Sequence, residues 1–545
     1  MRNKIYKYRL HLIAFVLALI IGGVTSAYLG QDLNWDLLNY HHYSAYALIH
    51  HRIAYDIAPA QHQSYGNPLL DLPAYVLFTH LKPILAGAIL GAIQGINIWM
   101  VFEIALVLLK KVGLKKRLTI IVAFSIALIS FFGAANISEV GNTMGDNLTS
   151  IVILTALWLL LTSFDKSKAP ANAQKLRIIA YFIAGLAAGL KLTNAGYVVA
   201  LFLGGFLVEG TTLEKIKTSI FHGISIIGGM LIASGFWYWK MWHMFKNPIF
   251  PYYNTLFKSG YYFDINFVDT RWFPTTWVHK IFYPFVFART QNQAAEIPFR
   301  DPRIAVMFVL IVVSVIVWLS RNTLKGAKLR STRLDKQQVI FWIFILVSYI
   351  TWQKQFSYYR YLLPIEMISL LAISLLIYGL FKSLKNTATS IIFIVLTVIT
   401  VFTIPINWGR IPWQHSYLGV NLPKSPAVGA NSTVLIAGYN PFSFIVPSLP
   451  PSARVVRVQS NMANPTTNQP PSSIALIRRT INEDKYNNNK FYALESKDEQ
   501  ATQASALKVY GFVNNQCSNI GTYANAYVFK GKMQFVICSL RNVNE

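Results

Sequence analysis

Two carboxylates lie four residues apart in the segment "QDLNWDLLNYHHY", which directly follows the first apolar stretch of the chain. Asp36 is a candidate for chemistry, because a carboxylate held in a partly dry pocket beside a membrane can act as a general base toward a hydroxyl group. Asp32 and Asp36 also fit a second interpretation, in which either residue begins a helix and is favoured by the helix dipole. The residue types alone leave both interpretations open.

The elements that must position these carboxylates are predicted to be transmembrane helices. The chain has 545 residues, of which 54% are hydrophobic and 13% charged. Apolar runs recur near the length of twenty residues that is needed to cross about 30 Å of hydrocarbon. We expect an α-helical polytopic membrane protein with about eleven crossings. They are predicted at Leu12–Gly30, Ile84–Leu109, Leu118–Ala135, Leu148–Phe164, Ile178–Leu190, Ala195–Val208, Ile220–Trp237, Ile304–Leu319, Val339–Trp352, Leu362–Leu380 and Thr387–Ile406.

The orientation follows from the connections that carry Lys and Arg, because cationic segments resist translocation. We therefore expect a multi-pass protein of a bacterial inner (plasma) membrane with a cytoplasmic N-terminus. These connections hold nearly half of the Lys and Arg residues, so the net charge of +27 does not indicate nucleic-acid binding. The predicted cytoplasmic segments are the N-terminus, the "KKVGLKKR" loop and residues 166–177, 215–217, 321–336 and 382–385.

Residues 1–406 are predicted to form the transmembrane domain, with a first external loop at 31–83 and a long external loop at 238–303. Within the first loop, "LLNYHHYSAYALI" predicts a short interfacial helix, with Leu38 and Tyr46 on its apolar side and Asn39 on its polar side.

Residues 407–545 are predicted to form an exported soluble α/β domain. Strands are expected at "STVLIAGYN", "ARVVRVQSN", "KFYALES" and "AYVFKGKMQFVIC", helices at Ser473–Ile481 and Glu499–Tyr510, and a hairpin turn at Lys530–Lys532. Because the helices and strands partly alternate, a partly parallel sheet is expected. Cys517 and Cys538 would form a disulfide in an oxidising compartment, and two buried thiols are the alternative.

Four segments of the first 400 residues resemble the GT-C superfamily of polyprenyl-phosphate-sugar glycosyltransferases, which includes aminoarabinose and protein mannosyl transferases. The first runs from "WDLLNYHHYSAYALIHHRIAYDIAP" through "SYGNPLLDLP" and resembles the first external loop of that superfamily, with Asp36 at its acidic position. "NTMGDNL" places Asp146 at the start of the fourth crossing. "GLAAGLKLTN" and "SYYRYLLPIE" resemble two later segments. The four segments occur in the superfamily's order and on the expected sides of the membrane.

The resemblance implies an inverting sugar transfer on the exported face. Asp36 would deprotonate the acceptor hydroxyl, a lipid phosphate would leave, and Asp146 would be a second catalytic acid that positions the acceptor or a metal. The donor would be a polyprenyl-phosphate-linked sugar, and the acceptor a glycan, a lipid or a protein. Membrane lipids are the remaining expected partners, and nucleic acid is not one.

A departing phosphate needs cationic stabilisation, which guanidinium groups supply by bidentate geometry. We assign this role to Arg360 and Lys191. Alternatively, Arg360 is an interfacial residue that anchors the protein to lipid. Lys191 could instead form an ion pair with Glu209 or Glu366. The other predicted substrate-binding residues are Asp32, Asn39, Tyr40, Tyr43, Arg52, Asn67 and Tyr361.

No cofactor is predicted with certainty, and a divalent metal such as Mg²⁺ or Mn²⁺ is left as an alternative. Six of the eleven histidines lie in the first loop, but they show no recognisable ligand spacing. Asp36, Asp146 and Glu139 are therefore the more plausible metal ligands.

Two rival functions stay open at this stage. A polymerase or ligase of lipid-linked glycans would rely on basic residues of the long external loop, such as Arg271 and Arg289. A lipid or glycan transporter would show two related halves, and no internal repeat is visible in the sequence.

Overall fold

The computed structural model describes residues 2–323, 335–525 and 531–543. Most of this part is helical, and a small sheet lies near the C-terminus. The helices are α1 (Arg2–Leu29), α2 (His42–Ile49), α3 (Leu72–His80), α4 (Pro83–Leu109), α5 (Lys116–Phe131), α6 (Ala134–Glu139), α7 (Asp146–Ser163), α8 (Pro170–Leu190), α9 (Ala195–Val208), α10 (Thr212–Phe245), α11 (Asn254–Phe257), α12 (Trp277–Phe287), α13 (Arg303–Thr323), α14 (Lys336–Gln355), α15 (Leu363–Leu380), α16 (Lys385–Phe402), α17 (Pro471–Tyr486) and α18 (Gln500–Val509).

Eight helices in the described part of the chain are long and apolar enough to cross a membrane. Every predicted crossing overlaps a helix, but α5, α9 and α14 are not among these eight. The helix α5 has 16 residues and α9 has 14, which is short for about 30 Å of hydrocarbon. The predicted number of about eleven crossings is therefore not confirmed. The eight candidates are α1, α4, α7, α8, α10, α13, α15 and α16.

The bundle is organised around α15, which is buried on nearly all sides by its neighbours. At its edge, α1 packs along α4 with almost no space between the backbones. A Cβ atom added to Gly95 of α4 would lie 2.2 Å from the carbonyl oxygen of Ala18 in α1. Small residues permit such close helix contacts in membranes.

The first loop and the segment after α16 are joined by a two-stranded ribbon. In it, β1 (Gln31–Asp32) pairs antiparallel with β2 (Arg410–Ile411). Farther along the loop, Ile57 bridges to Val456 of the C-terminal domain. These contacts place the C-terminal domain over the end of the bundle where the first loop leaves it.

The helix predicted in the first loop is present, but its surroundings differ from the prediction. A π-helical turn at Leu37–His41 precedes α2. Asn39, expected on a polar face, is fully buried, and Ser443 of the C-terminal domain donates a hydrogen bond to its carbonyl oxygen. Because the domain covers this segment, the two-faced pattern of an interfacial helix does not apply.

The C-terminal domain is a five-stranded sheet with the order β4-β3-β5-β7-β6. The strand β3 pairs in parallel with β4 and β5, while β7 pairs antiparallel with β5 and β6, so the expectation of a partly parallel sheet is confirmed. Cys517 and Cys538 form a disulfide between β6 and β7. The strands are β3 (Ser432–Ile436), β4 (Arg454–Arg457), β5 (Lys490–Ser496), β6 (Phe512–Asn525) and β7 (Gly531–Asn542).

Two predicted connections lie partly outside the described residues. They are the turn at Lys530–Lys532, whose residue Lys530 is not described, and the predicted cytoplasmic loop 321–336, of which residues 324–334 are not described. The predicted strand "AYVFKGKMQFVIC" is described only from Gly531, where β7 begins.

Candidate functional site

Four charged residues from separate parts of the sequence meet at one end of the helix bundle. Each one lies where a helix begins or ends. Asp36 precedes the π-helical turn, Asp146 begins α7, Lys191 follows α8, and Arg360 lies in the 3₁₀ turn Tyr359–Leu362 before α15. Because these ends share one side of the bundle, the four side chains form a single group, which we call the charge cluster.

The charge cluster is a chain of alternating ion pairs. Nη1 of Arg360 donates to Oδ2 of Asp36 at 2.9 Å, and its Nε lies 3.3 Å from Oδ2 of Asp146. Nζ of Lys191 donates to the other oxygen of Asp146 at 2.5 Å and to the carbonyl oxygen of Met144 at 2.9 Å. Two carboxylates thus balance two cations, which is how buried charge is tolerated.

The four side chains are mostly shielded from solvent but not sealed. The exposed fractions are 17% for Asp36, 8% for Arg360, 7% for Asp146 and 17% for Lys191. The 3.3 Å contact between Arg360 and Asp146 lacks hydrogen-bond geometry, since Nε and Oδ2 have no partner among the described residues. Both atoms therefore keep hydrogen-bonding capacity for a ligand.

Local electrostatics keep Asp36 ionised. Burial alone would raise the pKa of its carboxyl group, but Arg360 more than offsets this, with a smaller contribution from His41 when its imidazole is protonated, and the pKa lies below its ordinary value. Glu139, at the end of α6, behaves in the opposite way. Burial and the charge of Asp146 raise the pKa of Glu139 well above its ordinary range, which favours the neutral form.

Aromatic rings surround the cations of the cluster. Cζ of Arg360 lies 5.2 Å from the ring centres of Tyr358 and Tyr361 and 5.6 Å from that of Trp408. Nζ of Lys191 lies 5.3 Å from the Tyr361 ring. Such contacts stabilise cations while excluding water. The structure thereby places Tyr361, a predicted substrate-binding residue, inside the site.

Three other predicted residues lie in the same loop as Asp36 and differ in their surroundings. Asp32 accepts hydrogen bonds from the side chain of Asn34 and from both the backbone N–H and the hydroxyl of Thr143, so it holds the turn that precedes Asp146. Tyr40 is half-buried and interacts electrostatically with Asp36. The side chain of Asn39 is fully buried and has no hydrogen-bond partner in the described part of the chain.

Tyr43 and Arg52 are not brought into the cluster. Both bind Asp56, with Tyr43 donating at 2.9 Å and Arg52 at 2.7 Å from each of two nitrogens. Arg52 also donates to the carbonyl oxygens of Pro451 and Ala453, so it fastens the first loop to the C-terminal domain. Their polar groups are occupied by the protein, and their role in substrate binding stays a prediction.

Asn67 is likewise engaged elsewhere. Its amide donates to the carbonyl oxygens of Gly189 in α8 and Ala233 in α10, at 3.1 and 3.0 Å. The residue therefore links the first loop to two helices. Its role in substrate binding stays a prediction.

The alternative partners considered for Lys191 are also engaged elsewhere. Glu209 pairs with Arg177 at 3.2 Å, and Glu366 accepts from the backbone N–H groups of Ala135 and Asn136 at 2.9 Å each. The partner of Lys191 is Asp146.

The charge cluster does not fit a divalent metal. No group of three or more His, Cys, Asp or Glu side chains that could hold a metal ion occurs in the described ranges. Arg360 also bridges Asp36 and Asp146, which are two of the three predicted ligands, so Mg²⁺ or Mn²⁺ would have to displace a guanidinium from between them. Carboxylates that are already balanced by cations make a weak site for a hard metal ion.

Sequence reasoning missed a pair of residues next to the cluster. Nδ1 of His41 lies 2.6 Å from Oδ1 of Asp71, and both side chains are buried. His41 was considered only as one of six loop histidines, because nothing in the spacing of positions 41 and 71 indicates contact. The acidic residue in "LLDLP" was the available signal.

No protein-family model matches this chain, and no curated protein matches it.

Proposed function

We propose that the protein is a membrane glycosyltransferase that moves a sugar from a polyprenyl-phosphate-linked donor to an acceptor at the exported face, with inversion at the anomeric carbon. The observation that carries this proposal is the alternating charge cluster of Asp36, Arg360, Asp146 and Lys191. It joins carboxylates that could act as a base and cations that could bind an anion in one shielded place. The resemblance of the sequence to GT-C transferases supports the same conclusion.

In the proposed reaction, the acceptor hydroxyl gives its proton to the carboxylate of Asp36. Its oxygen forms a bond to the anomeric carbon, and the bond from that carbon to the phosphate oxygen breaks. The electron pair of the broken bond stays on the leaving polyprenyl phosphate, whose charge Arg360 and Lys191 stabilise.

Donor binding would also activate the base. In the free protein, Arg360 lowers the pKa of Asp36 and makes this carboxylate a weak proton acceptor. A phosphate that draws the guanidinium away from Asp36 removes this effect, so the carboxylate becomes more basic only when the donor is present. Asp146 would keep the two cations together during this exchange, since it contacts both of them.

The test is transfer of sugar from a polyprenyl-phosphate donor by purified protein in lipid vesicles. We expect Asp36→Asn to lower turnover by about 100-fold or more, as removal of a general base does. Asp56→Asn is the matched control, because Asp56 is a buried, arginine-paired carboxylate of the same loop outside the cluster. It should lower stability and leave turnover per folded molecule within a few-fold.

Turnover by Asp36→Asn within a few-fold of wild type, in folded protein, would refute the role of Asp36. The polymerase or ligase alternative predicts loss of activity in Arg271→Ala and Arg289→Ala with Asp36 dispensable. Arg271 is exposed and paired with Asp269 at 2.6 Å, so our proposal predicts little effect there. A transporter would move donor lipid between leaflets without consuming it.

A further inference from the structure

The π-helical turn at Leu37–His41 has a geometric consequence for the site. In an α-helix, side chains five positions apart diverge by about 140° around the axis. A π-helical turn contains one more residue than an α-helical turn, because its hydrogen bonds join residues i and i+5. Here the N–H group of His42 donates such a bond to the carbonyl oxygen of Leu37. The wider turn brings Asp36 and His41 toward the same side of the helix.

His41 is held in one orientation by Asp71. Nδ1 of His41 lies 2.6 Å from Oδ1 of Asp71, and the two side chains are 6% and 8% exposed. Asp71 stands at the position before the first residue of α3, where an Asp usually caps the helix. Its carboxylate makes no capping hydrogen bond. The carboxylate is committed to the imidazole.

The other ring nitrogen of His41 is left for a ligand or a proton. Nε2 is buried and has no hydrogen-bond partner among the described residues, and a buried polar atom without a partner is costly. Four groups face this imidazole. They are Asp71 at the start of α3, the Tyr40 ring at 4.0 Å, Asp36, which interacts electrostatically with His41, and Lys191, whose charge acts on both Asp36 and Asp71.

We propose that His41, oriented by Asp71, accepts through Nε2 the proton that Asp36 takes from the acceptor hydroxyl. This pair has the arrangement of a base supported by a carboxylate, as in serine hydrolases, where the carboxylate fixes the tautomer and stabilises the imidazolium. The inference rests on the proposed transferase function and adds a proton-transfer residue to it.

When the acceptor oxygen bonds to the anomeric carbon and the polyprenyl phosphate leaves, Asp36 carries the acceptor proton as a neutral carboxylic acid. That proton passes to Nε2 of His41, directly or through one water molecule. The products are the Asp36 carboxylate, free to pair with Arg360 again, and an imidazolium paired with Asp71. The imidazolium then releases the proton to solvent, and the protein returns to its starting state.

The experiment compares the pH dependence of transfer in wild type and in His41→Asn. An Asn amide can place a donor near the position of Nδ1 and keep the bond to Asp71, but it has no atom at the position of Nε2. We expect turnover to fall by about 10-fold, less than the roughly 100-fold or more of a general base, because Asp36 still takes the acceptor proton. We also expect the acid limb of the pH profile to change, because only the ionisation of Asp36 sets it once His41 is replaced.

Asp71→Asn is the second variant, and His42→Asn is the matched control. Asp71→Asn should lower turnover while the acid limb moves to a different pH, because the imidazole keeps Nε2 but loses its carboxylate. Burial lowers the pKa of His42 to about 4, so this neighbouring histidine stays neutral near pH 7. Its replacement should leave the pH profile unchanged.

The outcomes separate the inference from the proposed function. Transfer by wild type together with an unchanged rate and pH profile in His41→Asn overturns the role of His41 and leaves the transferase function standing. Absence of transfer by wild type, under conditions where it binds donor lipid, overturns both. Equal melting temperatures of wild type and His41→Asn establish that a changed acid limb does not come from unfolding.

Discussion

The charge cluster predicts that Asp146 and Glu139 are energetically coupled. Asp146 is the only carboxylate of the cluster that contacts both cations. Asp146→Asn leaves Arg360 and Lys191 balanced by Asp36 alone, with one positive charge uncompensated. Because the charge of Asp146 helps to raise the pKa of Glu139, the same substitution lowers that pKa. Glu139 can then ionise and supply the missing negative charge.

The magnitudes follow from burial and distance. At an effective dielectric constant of about 20, an ion pair separated by the 3.3 Å between Arg360 and Asp146 attracts with about 5 kcal/mol. Breaking a buried pair from one side typically costs about 3 to 5 kcal/mol. We expect Asp146→Asn to lose about 2 kcal/mol, because ionised Glu139 compensates in part. The double variant with Glu139→Gln should lose about 4 kcal/mol, and Glu139→Gln alone less than about 1 kcal/mol.

The assay is reversible unfolding in detergent, followed by tryptophan fluorescence at several pH values. In wild type, folded Glu139 holds a proton that the unfolded chain releases above about pH 4.3. Its contribution to stability is therefore complete below that pH and is lost as the pH rises through the raised pKa of the folded state. Glu139→Gln should remove this slope. If the loss in the double variant equals the sum of the single losses within about 0.5 kcal/mol, the two residues are not coupled and the reasoning fails.

Two further predictions concern stability away from the cluster. Replacing Cys517 and Cys538 by Ser removes a disulfide that spans a sequence separation of 21 residues and should lower the stability of the C-terminal domain by about 3 kcal/mol. The measurement is the unfolding midpoint. A reducing agent should lower the midpoint of wild type to the same extent and leave that of the variant unchanged. Gly95→Ala should force α1 away from α4, because the added Cβ would lie 2.2 Å from the carbonyl oxygen of Ala18, and should lower the stability of the protein by about 1 to 3 kcal/mol. Gly379→Ala is the control, because no atom lies within 4 Å of its added Cβ. Equal stability of the two variants would contradict the packing argument.

Much of the fold could be predicted because its signals are local. Each of the eleven predicted apolar runs overlaps a helix, whereas α6 and α12 were not predicted, and alternating short runs located β3, β4 and β5. The strand β6 was missed, since its polar sequence "FVNNQCSNIGTYAN" lacks a clear alternation of apolar residues. Membrane orientation stays a prediction, because charge bias in the loops is its only support.

The sequence predicted those residues of the candidate site that lie at the ends of predicted helices. Asp36, Asp146, Lys191 and Arg360 all lie at such ends, and alternation of the crossings places these ends together. Tyr43 and Arg52 were assigned to substrate binding on residue type. Their partner Asp56 and the C-terminal domain contacts depend on tertiary structure that no local pattern encodes. The His41 contact also needed a π-helical turn, which helical periodicity does not predict.

In the proposed transfer, the position of Asp36 inside the charge cluster has a physical reason. The free cluster of Asp36, Arg360, Asp146 and Lys191 carries no net charge, and a sugar phosphodiester adds one negative charge. When the sugar–phosphate bond breaks, the phosphate gains a second negative charge, while the acceptor leaves its proton in the site. If Asp36 or His41 keeps that proton, the total charge of the shielded site does not change during transfer. A base in bulk water would remove the proton and leave the additional negative charge in a poorly solvated place, which is unfavourable at low effective dielectric. Retaining the proton beside the cations is therefore the arrangement in which bond cleavage requires the least electrostatic work.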